Sequence, residues 1–152
     1  ARGLYPVTLE TDGLMAALEE LAATTESRFA VPCKFICDKP VAVTDSLTAI
    51  HLYRIVQEAV NNAVRHAGPR HIIISLDIED GSCILTVRDD GAGMAPAEHH
   101  GQGMGINLMR YRAKIIGASL EVQSAAGQGT SVICTFHISP HATIHEEDNA
   151  GE

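Results

Sequence analysis

Between Ser46 and Asp89 the spacing of apolar residues changes from that of a helix to that of a strand, which restricts the chain to folds that lay helices on a sheet. From Ser46 to about Ala67, Leu52, Ile55, Val56, Ala59, Val60 and Ala63 share one helical face, and Gly68-Pro69 stops the helix, with Ser46 placed to cap it. From His71 the period becomes two: Ile72, Ile74, Leu76 and Ile78 alternate with Ile73, Ser75, Asp77 and Glu79. The Asp80-Gly81 pair turns the chain into a second strand, Cys83 to Asp89. A glycine-rich stretch, Gly91 to Gly105, then leads into a helix from Ile106 to Ile116 closed by Gly117. A second hairpin follows, Ser119–Ser124 and Thr130–Ser139, in which Val132, Cys134, Phe136 and Ile138 alternate with polar neighbours. Upstream, Leu14, Leu18 and Leu21 predict a short helix over 13–24, and a linking strand is expected around Cys33–Cys37. The pattern predicts an α+β chain, a two-layer α/β sandwich whose mixed, mostly antiparallel sheet carries helices on one face.

The 152 residues suffice for one domain. An excess of 19 Asp and Glu over 11 Lys and Arg, net −8, argues against direct nucleic-acid binding. No apolar run approaches the roughly 18 residues of a membrane span. The chain begins with Ala rather than Met, as a piece of a longer protein would. Cys33, Cys37, Cys83 and Cys134 form no CxxC pair and read as core thiols of a reducing compartment. Eight histidines lack metal-ligand spacing, and the acidic segment 140–152 has no pattern and is expected to be disordered.

Two features carry chemistry. On the long helix, Glu58 and Asn62 are one turn apart, and Arg65 and His66 come one turn later. This polar stripe spans roughly 10 Å, the length of a triphosphate. An Asn carbonyl oxygen suits Mg²⁺, Arg65 can offset phosphate charge, and Glu58 can polarise an attacking group. Asn61 and Asn62 are poor helix formers, which counts against a merely solvated face. The second feature is Asp89, at a strand end before Asp90-Gly91-Ala92-Gly93. Its carboxylate can accept from the exocyclic amino group of adenine, while the glycines let backbone approach a flat ring. Neither a GxxxxGK[ST] phosphate loop nor a dinucleotide GxGxxG is present, since Ile106 stands where the latter needs a small residue.

In order and spacing, EAVNNAVRHA at 58–67, VRDDGAGM at 87–94, GQGMGI at 101–106 and GQGT at 127–130 resemble the N, G1, G2 and G3 boxes of the GHKL ATPase superfamily. The stretch LYRIVQEAVNNAVRHA at 52–67, MRYRA at 109–113 and the short interval between boxes resemble the sensor histidine kinases paired with helix-turn-helix response regulators. The resemblance covers about residues 45–139 and implies a Bergerat-type ATP-binding fold, occupying 13–139 here, with ATP and Mg²⁺ as cofactors. It implies Asn62 as the Mg²⁺ ligand and Glu58 as the polar activator, with Arg65 and His66 beside the phosphates. Asp89 would hold the adenine amino group, with Thr130 completing that contact through water and Gly129 beside it among the cofactor-binding residues. Gly91, Gly93 and Met94 would wall the base. Gly101, Gly103, Met104 and Gly105 would form the hinge and helix start, and residues 95–102 the ATP lid. His66 departs from the tyrosine often found there. His99 and His100 have no family role.

The phosphoacceptor box of the family, a histidine followed by an acidic residue on a long helix, does not occur in this chain. Residues 1–12 look like the tail of that upstream helical dimerisation domain. The expected partners are therefore ATP or ADP, the protein's own upstream phosphoacceptor domain in a homodimer, and a response regulator. The expected location is a cytoplasmic domain of a protein that is membrane-anchored or soluble. Two other classes share the boxes: anti-sigma-factor serine kinases, which usually stand alone, and topoisomerase- or chaperone-type clamps, which carry a longer lid and docking segments.

Overall fold

A computed structural model describes residues 13–93 and 104–137. Helix α1 (Gly13–Phe29) is followed by strand β1 (Cys33–Ile36) and helix α2 (Ser46–Asn62), which continues as a π-helical turn over Ala63–Ala67. Then come β2 (Ile72–Glu79), β3 (Ser82–Asp89), α3 (Met104–Ile115), β4 (Ser119–Ala125) and β5 (Gly129–His137).

The five strands make one sheet in the order β1-β2-β3-β5-β4. Only β1 and β2 run parallel, because α2 carries the chain back between them; the other pairs are antiparallel. Alternation puts Cys33, Ile72, Ile74, Leu76, Cys83, Leu85, Val87, Val132, Cys134 and Phe136 on one face, and all are buried. The helices supply the opposing layer: Leu14 and Leu18 from α1, Leu52, Ile55, Val56 and Val60 from α2, Ile106 and Met109 from α3. This is the α+β sandwich with helices on one face that the periodicity predicts. Among the described residues no helix is long and apolar enough to cross a membrane.

The β2–β3 turn places both Asp80 (φ 52°) and Gly81 (φ 80°) in the left-handed region, the conformation that matches the twist of a two-residue hairpin. At the end of α3, Ala118 N–H donates to Ala113 O at 2.8 Å and Gly117 N–H to Lys114 O at 3.2 Å. With Gly117 at φ 69°, this double bond satisfies the last carbonyls.

Several boundaries differ from the sequence expectation. Helix α1 runs to Phe29 rather than Thr24; Thr25 returns its hydroxyl to Leu21 O at 2.8 Å and is buried on the core side. The cap of α2 is Asp45, not Ser46: Asp45 is extended (φ −78°, ψ 116°) and its carboxylate accepts from Thr48 N–H at 3.1 Å. A carboxylate also complements the positive end of the helix, which a hydroxyl does not. Ile78 is 41% exposed although it continues the buried alternation. The reason is that β1 reaches only the level of Ser75, so the far end of β2 has no outer neighbour. Helix α3 begins at Met104, two residues before Ile106. The last strand ends, as described, at His137, and Ile138 and Ser139 lie outside the described residues, as do 1–12 and 140–152.

Cys33, Cys83 and Cys134 are buried free thiols. Burial pushes Cys33 and Cys83 up to about 11 and Cys134 up to about 12, leaving them protonated and unreactive at neutral pH.

Candidate functional site

Two groups of polar side chains lie at one end of the sheet. The first sits on the last α-helical turns of α2. Leu52, Ile55, Val56, Ala59 and Val60 bury the inner face of this helix, which leaves Glu58 and Asn62 half-buried on an adjoining stripe. Gly105, in the first turn of α3, lies directly against them. A Cβ built there would come within 2.8 Å of Glu58 Oε1, 3.2 Å of Asn62 Nδ2 and 3.4 Å of Asn62 Oδ1. The helix start after the glycine-rich stretch is thus seated on Glu58 and Asn62, residues more than forty positions away in sequence.

Beyond Asn62 the helix differs from the expected α geometry. The turn Ala63–Ala67 is π-helical and ends at Gly68 in the left-handed region (φ 55°). Arg65 lies in this wider turn and is exposed. The chain then passes through Arg70 and His71 into β2, whose first residue, Ile72, pairs with Asp89. That short link brings the end of α2 and the end of β3 to the same edge of the fold.

The second group surrounds Asp89. This carboxylate is 7% exposed, and its Oδ1 accepts from Gly91 N–H at 2.9 Å. Burial raises its pKa above the ordinary carboxylate value, only partly offset by hydrogen bonds from the Gly91 and Thr130 backbones. Asp89 pairs in register with Thr130 on β5, and Thr130 with Ser124 on β4. Gly129 (φ 81°) passes so close behind Asp89 that a Cβ would meet the Asp89 carbonyl oxygen at 2.1 Å. Gly93 (φ 71°) packs equally tightly on the Ala125 carbonyl, and Gly127 N–H donates to Ala92 O. The 90–93 loop is thus pressed onto the β4–β5 turn.

Two residues that sequence reasoning passed over support these groups. Asp90, to which no role is assigned from sequence, accepts from Arg70 N–H and His71 N–H at 2.8 Å each and contacts His71 Nδ1 at 3.0 Å. These bonds hold its pKa down to about 2. Because the folded value lies below the unfolded one, the stabilisation exists above about pH 4 and is lost as pH falls toward 2. Asp90→Asn should therefore lower the melting temperature at pH 7 and flatten the acid side of the stability profile, as thermal melts between pH 7 and 2 would record. An unchanged acid limb would mean that the Asp90 bonds contribute nothing. The other is Ser124, whose Oγ lies 2.9 Å from Thr130 Oγ1; only strand register reveals this pairing.

Of the residues expected from sequence, Glu58, Asn62 and Gly105 come together in one group, and Asp89, Gly91, Gly93, Gly129 and Thr130 in the other. The His66 and Met104 side chains, Met94, Gly101, Gly103 and the expected lid, 95–102, lie outside the described residues.

Comparison with known proteins places this arrangement. Residues 48–140 match the family described as histidine kinase-, DNA gyrase B-, and HSP90-like ATPase. The nitrate/nitrite sensor protein NarQ of Escherichia coli is 33% identical over 134 residues, a match covering 87% of this chain and 24% of that protein. The sensor histidine kinase LiaS of Bacillus subtilis is 35% identical over 137 residues, covering 90% of this chain and 38% of LiaS. The chain therefore spans about a quarter to two fifths of the length of these relatives. Among solved structures, the histidine kinase domain of the blue-light activated histidine kinase EL346 of Erythrobacter litoralis superposes with a TM-score of 0.70 at 26% identity, covering 86% of this chain and 64% of that one. The chain belongs to the histidine kinase-, DNA gyrase B- and HSP90-like ATPases, and it is an ATP-binding domain of the kind carried by two-component sensor histidine kinases.

Proposed function

We propose that this chain binds ATP with Mg²⁺ and, as the catalytic domain of a sensor histidine kinase, directs the γ-phosphoryl group to a histidine on an upstream dimerisation domain, from which it passes to a response regulator. The observation that carries the reading is the seating of Gly105 against Glu58 and Asn62, at the same end of the sheet as buried Asp89. In this reading the base lies at Asp89 and the phosphates reach toward α2.

Asp89 is an acceptor-only group when ionised, so it takes the hydrogen of an exocyclic amine and offers nothing to a carbonyl. The Asn62 amide oxygen and the Glu58 carboxylate are hard oxygen donors, a set that fits Mg²⁺. Mg²⁺ supplies neutralisation of phosphate charge when bound. Asn62 would hold it, and Glu58, one turn earlier, would orient or polarise the incoming nucleophile. The first turn of α3, which Gly105 seats against Glu58 and Asn62, would offer its free amides and the positive end of the helix to the phosphates. Phosphoryl transfer depends mainly on such positioning and charge stabilisation.

ATP and ADP should bind and GTP should not. Asp89→Asn should weaken ADP about ten- to a hundredfold, the range for a hydrogen bond to a charged group. Because burial raises the Asp89 pKa, adenine affinity should also begin to fall on acidification at a pH above that of an ordinary carboxylate. Calorimetry showing equal ATP and GTP affinity, or an unaffected Asn variant, overturns the base site. Incubated alone with labelled ATP, the chain should not label itself; adding the upstream helical domain should give an acid-labile, base-stable phosphohistidine. Acid-stable label on a serine of an added protein would instead establish the anti-sigma class.

A further inference from the structure

The last core-facing row of the sheet is polar across three strands. Asp89 on β3 is opposite Thr130 on β5, and Thr130 is opposite Ser124 on β4. By strand alternation all three share the face of Val87, Val132 and Val122, which borders the helices. In the proposed function Asp89 serves base recognition, and Ser124, which supports that group through Thr130, has no stated part in it.

Ser124 Oγ lies 2.9 Å from Thr130 Oγ1 and 3.4 Å from Gly129 O. Either hydroxyl can donate across the first distance, which is within the normal range for O–H···O; the second is beyond that range, so of these two acceptors for the Ser124 hydrogen the nearer is the stronger. A Thr130 oxygen that accepts from Ser124 keeps its own hydrogen free to turn toward the space beside Asp89. The row then presents, side by side, an acceptor at Asp89 and a donor at Thr130. Adenine offers the complement along its pairing edge, an amino donor next to a ring-nitrogen acceptor. Hypoxanthine and guanine offer the inverse, a carbonyl acceptor next to an N–H donor.

We propose that Ser124 is a positioning residue for base selection: by donating to Thr130 it commits the Thr130 hydroxyl to act as a donor toward the ring nitrogen, directly or through one water. Without it, the Thr130 hydroxyl is free to rotate and can meet either kind of edge. This inference rests on the assignment of adenine to Asp89, and its test separates the two.

Affinities for adenosine diphosphate and inosine diphosphate are measured by calorimetry on the chain and on Ser124→Ala, Ser124→Thr, Thr130→Val and the Ser124→Ala/Thr130→Val double variant, with Asp89→Asn as the control for the base site. Ser124→Ala should weaken adenosine diphosphate about three- to tenfold, the worth of one neutral hydrogen bond, and weaken inosine diphosphate less, so that the ratio of the two affinities falls. Ser124→Thr, which restores the hydroxyl and suits an edge strand, should recover the ratio. In the Thr130→Val background, removing Ser124 should change nothing further. Equal losses for both ligands, no loss, or the same loss in the Thr130→Val background would overturn the proposal, because a purely structural serine would behave that way. If Ser124→Ala proves unstable, Ser124→Cys, which keeps a side chain of similar size but donates only weakly, should lower the ratio in its place, and an unchanged ratio there would overturn the proposal. A normal adenosine diphosphate affinity in Asp89→Asn would overturn the base site and this inference with it. A weakened Asp89→Asn beside an indifferent Ser124→Ala would overturn this inference alone.

Discussion

Replacing Asn62 by Asp should reduce phosphoryl transfer by about a hundredfold or more while leaving the protein folded. The substitution is nearly isosteric and sits on a half-buried stripe, so the packing of α2, which rests on Leu52, Ile55, Val56 and Val60, is untouched. What changes is charge. A second carboxylate one turn from Glu58 repels it, and both repel the triphosphate they must hold. Asp keeps an oxygen for the metal but adds a negative charge where phosphate charge has to be neutralised, and disturbing one preorganised group that stabilises the transition state costs on the order of 10²–10³ in rate. The measurement is acid-labile phosphorylation of the upstream domain, with ATP affinity and Mg²⁺ dependence followed in parallel. Asn61→Asp serves as the neighbouring control and should do less. If Asn61→Asp proves the more damaging, the ligand is Asn61 and the site is rotated about the helix.

A pair of glycine substitutions should have opposite signatures. Gly129→Ala should destabilise the fold by about 3–5 kcal/mol, at the upper end for a point mutation. Its Cβ would lie 2.1 Å from the Asp89 carbonyl oxygen, backbone against backbone in neighbouring strands, at a φ of 81° that side chains avoid. A fall in melting temperature of more than about 10 °C is expected for a domain of this size. Gly105→Ala meets Glu58 Oε1 at 2.8 Å, the far end of a side chain that can swing away, and sits inside a helix. Helix propensity favours alanine there by up to about 1 kcal/mol. The melting temperature should stay level or rise, yet transfer should fall because Glu58 has been displaced. A thermal shift assay and a transfer assay on both variants suffice. Gly105→Ala with full transfer would remove Gly105 from the site, and Gly129→Ala with a normal melting temperature would contradict the packing behind Asp89.

The sequence by itself determined the layers and most of the elements. The change of apolar period from helical to two-residue cannot be accommodated without a sheet covered by helices, and the buried positions of α2 and β2 from Leu52 to Leu76 follow it closely. Turn chemistry fixed the β2–β3 hairpin, because Asp80 and Gly81 tolerate the left-handed conformation it requires. Four glycine- and asparagine-containing boxes in order were enough to expect the ATPase family to which the chain belongs.

Only the tertiary structure decided how the pieces meet. That Gly105 rests on Glu58 and Asn62 depends on α2 and α3 lying side by side, a contact that local propensity does not encode. That Asp89, Thr130 and Ser124 form one row depends on the register of three strands, two of them far apart in sequence. The choice of Asp45 over Ser46 as the cap was settled by backbone angles, since both residue types are good caps. The same is true of the π-helical turn that carries Arg65: the residues of Ala63–Ala67 fit an ordinary helix, and the wider turn exists only in how α2 closes onto Gly68.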